Sequence, residues 1–221
     1  MNRFKTAPDY TFEEVQNLKL NPTCLQFAAP GEKIVASYIP TLEEVLLSLQ
    51  DKEITIKIEL KGPDTAIPTL EMVERLDMVD RVHFSSFNHD NIKTIRNLHP
   101  ERNDNGAHVY KTGALFSEPP MNFIDIARSV DASEVHLKYD TCSKERVEEI
   151  HAAGMGSMAW FRGPKGMHED TTERYFDVGN EDESMYQTVL QSGVQALCVN
   201  RPEVLLKLLG RNQGNNEGIC V

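Results

Sequence analysis

The octapeptide Ile54-Thr55-Ile56-Lys57-Ile58-Glu59-Leu60-Lys61 decides the fold. Side chains alternate faces along a strand, so Ile54, Ile56, Ile58 and Leu60 form an apolar row while Thr55, Lys57, Glu59 and Lys61 form a polar one. In an antiparallel sheet the polar row meets water. In a parallel barrel the apolar row packs on an outer ring of helices, and the last inward side chains of each strand stand in the mouth where barrel enzymes do their chemistry. Glu59 and Lys61 then put an anion beside a cation in a cleft. Exposed Glu and Lys on strands are common, so the rest of the chain has to choose between the two.

Outward from the octapeptide, strand and helix alternate. Gly62-Pro63 turns the chain into a helix over Thr69 to Leu76. Arg81 to Phe87 reads as a strand before a helix near His89 to Leu98, and His108 to Phe116 precedes Phe123 to Val130 in the same way. Glu134 to Lys138 leads into Ser143 to Ala153, Ser157 to Phe161 comes before Glu183 to Gln191, and Gln195 to Asn200 before Pro202 to Leu209. About six strands, each trailed by a helix, are the signature of an α/β fold with a parallel sheet. Before the octapeptide, Thr11-Phe12-Glu13-Glu14 and Thr41-Leu42-Glu43-Glu44 both carry the capping-box spacing and open short helices, with a loop of Pro22, Pro30, Gly31 and Pro40 between them. A single domain is expected over 1–209, with a polar, Asn- and Gly-rich tail over 210–221. The stretch from Arg162 to Asp182 exceeds a usual connection; its His168, Glu169, Asp170 and Glu173 read as a solvated acidic loop rather than a metal site.

Composition excludes several classes. With 221 residues, 40% hydrophobic and 26% charged, the chain reads as an ordinary soluble globular protein. A net charge of -11 with no basic cluster argues against nucleic acid or an anionic membrane as partner. Cys24, Cys142, Cys198 and Cys220 have no Cys-x-x-Cys spacing, so free thiols in a reducing compartment, the cytoplasm, are expected. No signal peptide and no run of transmembrane length is present in the sequence.

Five pieces, in order and at fitting distances, identify a resemblance over Asp9 to Leu209: Ile39-Pro40-Thr41-Leu42-Glu43-Glu44-Val45-Leu46, Ile58-Glu59-Leu60-Lys61, Ser85-Ser86-Phe87, Trp160, and Gly193-Val194 running into Asn200-Arg201-Pro202. Together they resemble the glycerophosphodiester phosphodiesterase family. That resemblance implies a TIM-type (β/α)8 barrel, here incomplete, and hydrolysis of a glycerophosphodiester to glycerol 3-phosphate and an alcohol within lipid and glycerol metabolism. It implies a divalent metal, Mg or Ca, held by carboxylates, and two His for proton transfer. Glu59 matches a metal-binding carboxylate, Lys61 the cation that meets the phosphate, and Trp160 the aromatic wall beside the substrate. The bland alternatives are a partly exposed Glu59–Lys61 ion pair and a core Trp160.

The departures are as specific as the matches. The family's opening His-Arg-Gly and its Glu-x-Asp do not occur in these 221 residues, and the one His-Asp dipeptide, His89-Asp90, follows Ile58-Glu59-Leu60-Lys61 where the family's precedes it, so no catalytic residue is matched. Asn2-Arg3 and Thr6 resemble the segment that follows His-Asp, which makes the six strands the third to eighth of the barrel. His83, His89, His99, His108, His136, His151 and His168 match neither catalytic position, and a strand His such as His83 or His136 is usually packed or hydrogen-bonded. Asp140 is expected to cap the following helix, and Asn200 to cap the one whose first turn holds Pro202. Trp160-Phe161-Arg162-Gly163 stands where the family has Trp-Thr-Val-Asn. The expected activity is therefore that of the family, silent in this chain; the alternative is a non-catalytic barrel remnant that binds or regulates.

A barrel short of two strands leaves backbone groups unpaired along Ile54 to Leu60 and Gln195 to Asn200, a template for association through its open edges. The isolated chain is expected to self-associate. Sedimentation across a concentration series should show mass rising with concentration; a monomer with a sharp, concentration-independent thermal transition would contradict this.

Overall fold

The computed structural model describes residues 9–18, 38–161 and 181–211. The chain divides into two units, Met1–Asp51 and Lys52–Val221. The first holds α1 (Phe12–Gln16) and α2 (Leu42–Ser48). Both open on the capping boxes read in the sequence: the Thr11 and Thr41 hydroxyls accept from the Glu14 and Glu44 amides, and those Glu side chains accept from the cap amides in return. The Gln16 side-chain amide donates to the Ile39 carbonyl at 3.1 Å.

The second unit is built of strand–helix pairs. In chain order these are β1 (Ile56–Glu59), α3 (Ala66–Arg75), β2 (Val82–Ser86), α4 (His89–Leu98), β3 (Lys111–Phe116), α5 (Phe123–Ser129), β4 (Glu134–Lys138), α6 (Lys144–Ala152), β5 (Gly156–Trp160), α7 (Glu183–Leu190), β6 (Ala196–Cys198) and α8 (Pro202–Leu208). The strands form one sheet in sequence order, every neighbouring pair parallel. That is the alternation the sequence predicts, and α4 and β4 fall at the predicted bounds.

Three elements differ, each for a local reason. The β1 ladder closes over four residues rather than eight, from Ile56↔Val82 to Glu59↔Ser85, because β1 is an edge with one neighbour among the described residues. Helix α3 starts at Ala66 with Pro68 in its first turn, where an amide has no partner within the helix to lose. Strand β3 starts at Lys111 rather than His108, since the preceding segment folds back on itself in a turn closed by an antiparallel bridge between Arg102 and His108.

Alternation sorts the sheet into two faces. Ile58, Phe84, Ala114, Phe116, Val135, Leu137 and Ala159 are buried. From Ala114 onward these pack in one core with Ile92 of α4, Phe123, Ile124 and Ala127 of α5, Val147 and Ile150 of α6, and Tyr186 and Val189 of α7. The ladder registers put Lys57, Glu59, His83, Ser85, Lys111, Gly113, Glu134, His136, Lys138, Met158, Trp160 and Cys198 on the opposite face. The predicted split between an apolar helix-covered row and a polar row is clearest on β1 and β4, while on β5 and β6 the inward row is Gly156, Met158, Trp160, Ala196 and Cys198.

Cross-sheet contacts show that the polar face is concave. Lys57 on β1 reaches Glu134 on β4 at 2.5 Å. In a flat sheet three interstrand spacings would separate those strands by about 14 Å with both side chains standing upright. Phe87, just past β2, and Trp160, at the end of β5, are also three strands apart, yet their ring centroids are 5.5 Å apart. The six parallel strands and their helices thus form a curled half-barrel, an incomplete α/β barrel of TIM type. Inside the curl the His136 ring lies over Gly113, where a Cβ would fall 2.2 Å from the imidazole. Only glycine permits that approach.

At the opposite end from the mouth, buried Arg96 of α4 ties the starts of β3 and β4. It donates to the Asp131 and Tyr110 carbonyls at 3.0 Å each and to the Thr112 hydroxyl at 2.7 Å. Such a hub serves stability rather than chemistry, because the amino-terminal rim of a barrel is its structural end.

Candidate active site

All six strands run the same way, so their carboxyl ends share one rim. Glu59 ends β1, Phe87 follows β2, Lys138 ends β4, Trp160 ends β5, and Asn200 follows β6. The structure brings Glu59 and Lys61 together on that rim: the Glu59 carboxylate lies 3.4 Å from the Lys61 ammonium, with side-chain exposures of 34% and 78%. A pair so exposed adds little to stability, and its ammonium is open to solvent. Across the rim Trp160 stands edge-on to Phe87 at 89°. Its indole N–H is buried without an acceptor among the described residues. Trp160 thus packs on Phe87 with a buried donor left unmatched among the described residues.

Two caps expected from the sequence are not made. Ser143, not Asp140, caps α6, accepting from the Arg146 amide. Asp140 instead binds the Lys138 ammonium at 2.6 Å, because the 3-10 turn at Tyr139–Thr141 sets it back beside the strand end. Helix α8 has Arg201 at its cap position, with no side-chain cap. The Asn200 amide is drawn away by a stronger acceptor, donating to the carboxylate of fully buried Glu181 and to the Phe161 carbonyl. His168, Glu169, Asp170 and Glu173 lie outside the described residues, as do Asn2, Arg3, Thr6, Cys24 and Cys220.

Beneath the rim lies a cluster that sequence reasoning did not assemble. Glu134 accepts from Lys57 at 2.5 Å and from His136 Nε2 at 2.8 Å, and its other oxygen is 3.9 Å from His83 Nδ1. With a carboxylate opposite, Nε2 of His136 carries the proton. Burial pushes the Glu134 carboxyl up, but the His136 hydrogen bond and the Lys57 ammonium outweigh it and hold the acid well below the usual carboxylate range. Burial, then the neighbouring Lys57 charge, pushes His83 down to about 4. His136 is lowered as well, by burial first. The signal in the sequence was the alternation itself: Lys57 belongs to the polar row of the octapeptide, and Glu134, His136 and Lys138 repeat that spacing on β4. Of the two strand histidines, His136 is packed and hydrogen-bonded to Glu134, while His83 is packed beside the same carboxylate with its Nδ1 buried and without a hydrogen-bond partner among the described residues, and neither reaches the rim.

Desolvation, and after it the Glu59 carboxylate, push the Cys198 thiol up. The residues present do not by themselves fit a divalent cation. A hard cation takes several oxygen ligands, whereas Glu59 supplies one carboxylate already facing an ammonium, and no three candidate ligand residues gather among the described residues. No helix among the described residues is long and apolar enough to cross a membrane.

A parallel sheet curled around a polar face, with acid, base and aromatic side chains at its carboxyl rim, defines an α/β-barrel protein. The chain belongs to the glycerophosphoryl diester phosphodiesterase family, whose sequence profile matches residues 3–204. It is 25% identical over 206 residues to the glycerophosphodiester phosphodiesterase of Caldanaerobacter subterraneus subsp. tengcongensis, covering 91% of this chain and 72% of that protein. The fold is similar to that of a Galdieria sulphuraria protein described as a glycerophosphodiester phosphodiesterase, with a TM-score of 0.70 at 23% identity over 94% of this chain and 73% of that one. An Oleispira antarctica phosphodiesterase, solved with the product sn-glycerol-3-phosphate, superposes with a TM-score of 0.58 at 20% identity over 78% of this chain and 62% of that one.

The interior cluster has a pH signature. Between the ordinary histidine value of 6.5 and about 4, the unfolded chain takes up a proton at His83 that the folded chain refuses, so stability is full above that window and falls as pH drops through it. His136 acts in the same sense, and Glu134 extends the loss below the ordinary carboxylate value of 4.5. Urea midpoints measured from pH 7 to pH 4 should fall steadily, and His83→Gln should flatten that slope. A midpoint independent of pH over the window would show that these groups are not held as described.

Proposed function

We propose that the carboxyl rim is the phosphate- and glycerol-binding part of a glycerophosphodiester site, and that this chain binds such ligands without turning them over. The observation that carries the reading is the Glu59–Lys61 pair at the end of β1, with its ammonium 78% exposed. Lys61 offers a solvent-facing cation to a phosphodiester or to glycerol 3-phosphate. Trp160 and Phe87 offer an apolar wall to the carbons of glycerol or the departing alcohol. Support comes from the family membership and from the Oleispira relative, which binds sn-glycerol-3-phosphate.

The silence follows from proton transfer. Cleavage needs a group that protonates the leaving alkoxide, poised at the reacting oxygen. His83 and His136 face Glu134 inside the curl, the family's His-Arg-Gly does not occur in the sequence, and the one His-Asp dipeptide, His89-Asp90, opens α4 after β2 where the family's precedes the Glu59 strand. That same occupation of both interior histidines favours a second reading, a barrel that serves as a binding or regulatory module.

Two measurements on the 221-residue chain test the reading. Titration with sn-glycerol 3-phosphate should show saturable binding that weakens about tenfold in Lys61→Ala, the loss expected of one charge-assisted contact. An assay for glycerol 3-phosphate release from glycerophosphocholine, with and without Mg²⁺ or Ca²⁺, should show none. Metal-dependent turnover that Glu59→Ala abolishes would prove the catalytic site complete, and absence of any binding would remove the ligand assignment.

A further inference from the structure

We propose that Glu134 is a positioning residue for the rim: by bridging to Lys57 it holds the edge strand β1 in the curl, and so sets Glu59 and Lys61 opposite the Trp160–Phe87 wall. The ligand arm of this inference rests on the binding reading above; the bridge itself does not.

Strand β1 is one of the two edges of the sheet. Among the described residues it pairs with β2 alone, over four residues. Such an edge tends to fray or straighten unless something else fixes it. Lys57 lies two residues before Glu59 on the same face, so whatever holds the Lys57 side chain also fixes the direction in which Glu59 leaves the strand. The holder is on β4, two strands beyond β2. Through the ladder Glu59↔Ser85↔Gly113↔Glu134, that partner stands in the same row as Glu59 itself.

The bridge is more than a surface pair. Its side chains are 17% and 21% exposed, and the carboxylate takes a second bond from His136, whose ring fits only because residue 113 is glycine. The groups facing Glu134 are Lys57 from β1, His83 from β2 and His136 from its own strand, with Lys111 of β3 charged close to His83. A desolvated ion pair adds little net stability compared with an apolar pair, yet breaking one side strands the other charge. Geometry is therefore the quantity it controls. The reporter is built in: Trp160 is the sole tryptophan, and its contact with Phe87 spans three strand steps from β2 to β5, overlapping the β1-to-β4 reach of the bridge across β2, β3 and β4.

The test compares the wild-type chain with Glu134→Gln, Lys57→Met, the double variant, and Glu134→Asp, which keeps the charge but shortens the reach by one methylene. Far-UV circular dichroism reports the fold; Trp160 emission and acrylamide quenching report the rim; titration with sn-glycerol 3-phosphate reports the site. The expected result is a preserved dichroism spectrum, red-shifted and more quenchable Trp160 emission in every variant, and a loss of affinity of about tenfold. The double variant should do no worse than the more damaging single, the mark of two residues acting as one unit. Any folded variant with wild-type Trp160 quenching overturns the proposal. Loss of the folded spectrum in all four also overturns it, since the bridge would then hold the fold and not the rim. If the wild-type chain binds no glycerol 3-phosphate, the ligand assignment fails while the Trp160 readout still judges the bridge.

Discussion

A carboxylate on one strand and an ammonium three strands away can meet only if the sheet between them bends. Glu134 and Lys57 do meet, at 2.5 Å, and much of the site depends on it. The bend turns the alternating polar face inward, so that Glu59, Lys138, Trp160 and Asn200 share one rim although they are spread along the chain. The outer face meets a simpler demand, burying Phe84, Val135, Leu137 and their neighbours under the helices. Burial alone would be served by a flatter sheet.

The interior cluster and the rim divide the work of the polar row. Glu59 and Glu134 occupy the same ladder row on strands that face one another, but their surroundings differ. Glu134 is enclosed by Lys57 and His136 and stays ionised, a structural anion. Glu59 is half open to water and paired with a solvent-facing Lys61, which leaves both free to respond to a ligand. One strand thus carries a fixed cation at Lys57 and an available one at Lys61, four residues on.

Much of this was legible in the sequence. The octapeptide implied two faces with different environments, and the alternation of strand and helix implied parallel pairing; the pairing holds through all six strands, with α4 and β4 at their expected bounds, and the polar inward row is clearest on β1 and β4. Local signals were sound where the partner was local: Thr11 and Thr41 cap as their capping boxes require. They misled where a distant partner competed. Asn200 has the composition of a cap, but the buried Glu181 carboxylate nineteen positions earlier in the chain draws its amide away. The Lys57–Glu134 bridge was invisible for the same reason, since 77 residues separate the partners and only the curvature of the sheet brings them together. The inward register of Lys57, Glu134 and His136 could be read; which of them would touch could not.

The most direct test of this account is the ionisation of Glu134, followed by the ¹³C chemical shift of its side-chain carboxyl as the pH is lowered. A carboxylate clasped by Lys57 and His136 should remain ionised well below the ordinary value of 4.5 for as long as the fold persists. Titration of that carboxyl near its ordinary value in the folded chain would mean that the ammonium and imidazole are not in place, and that the curl has some other cause.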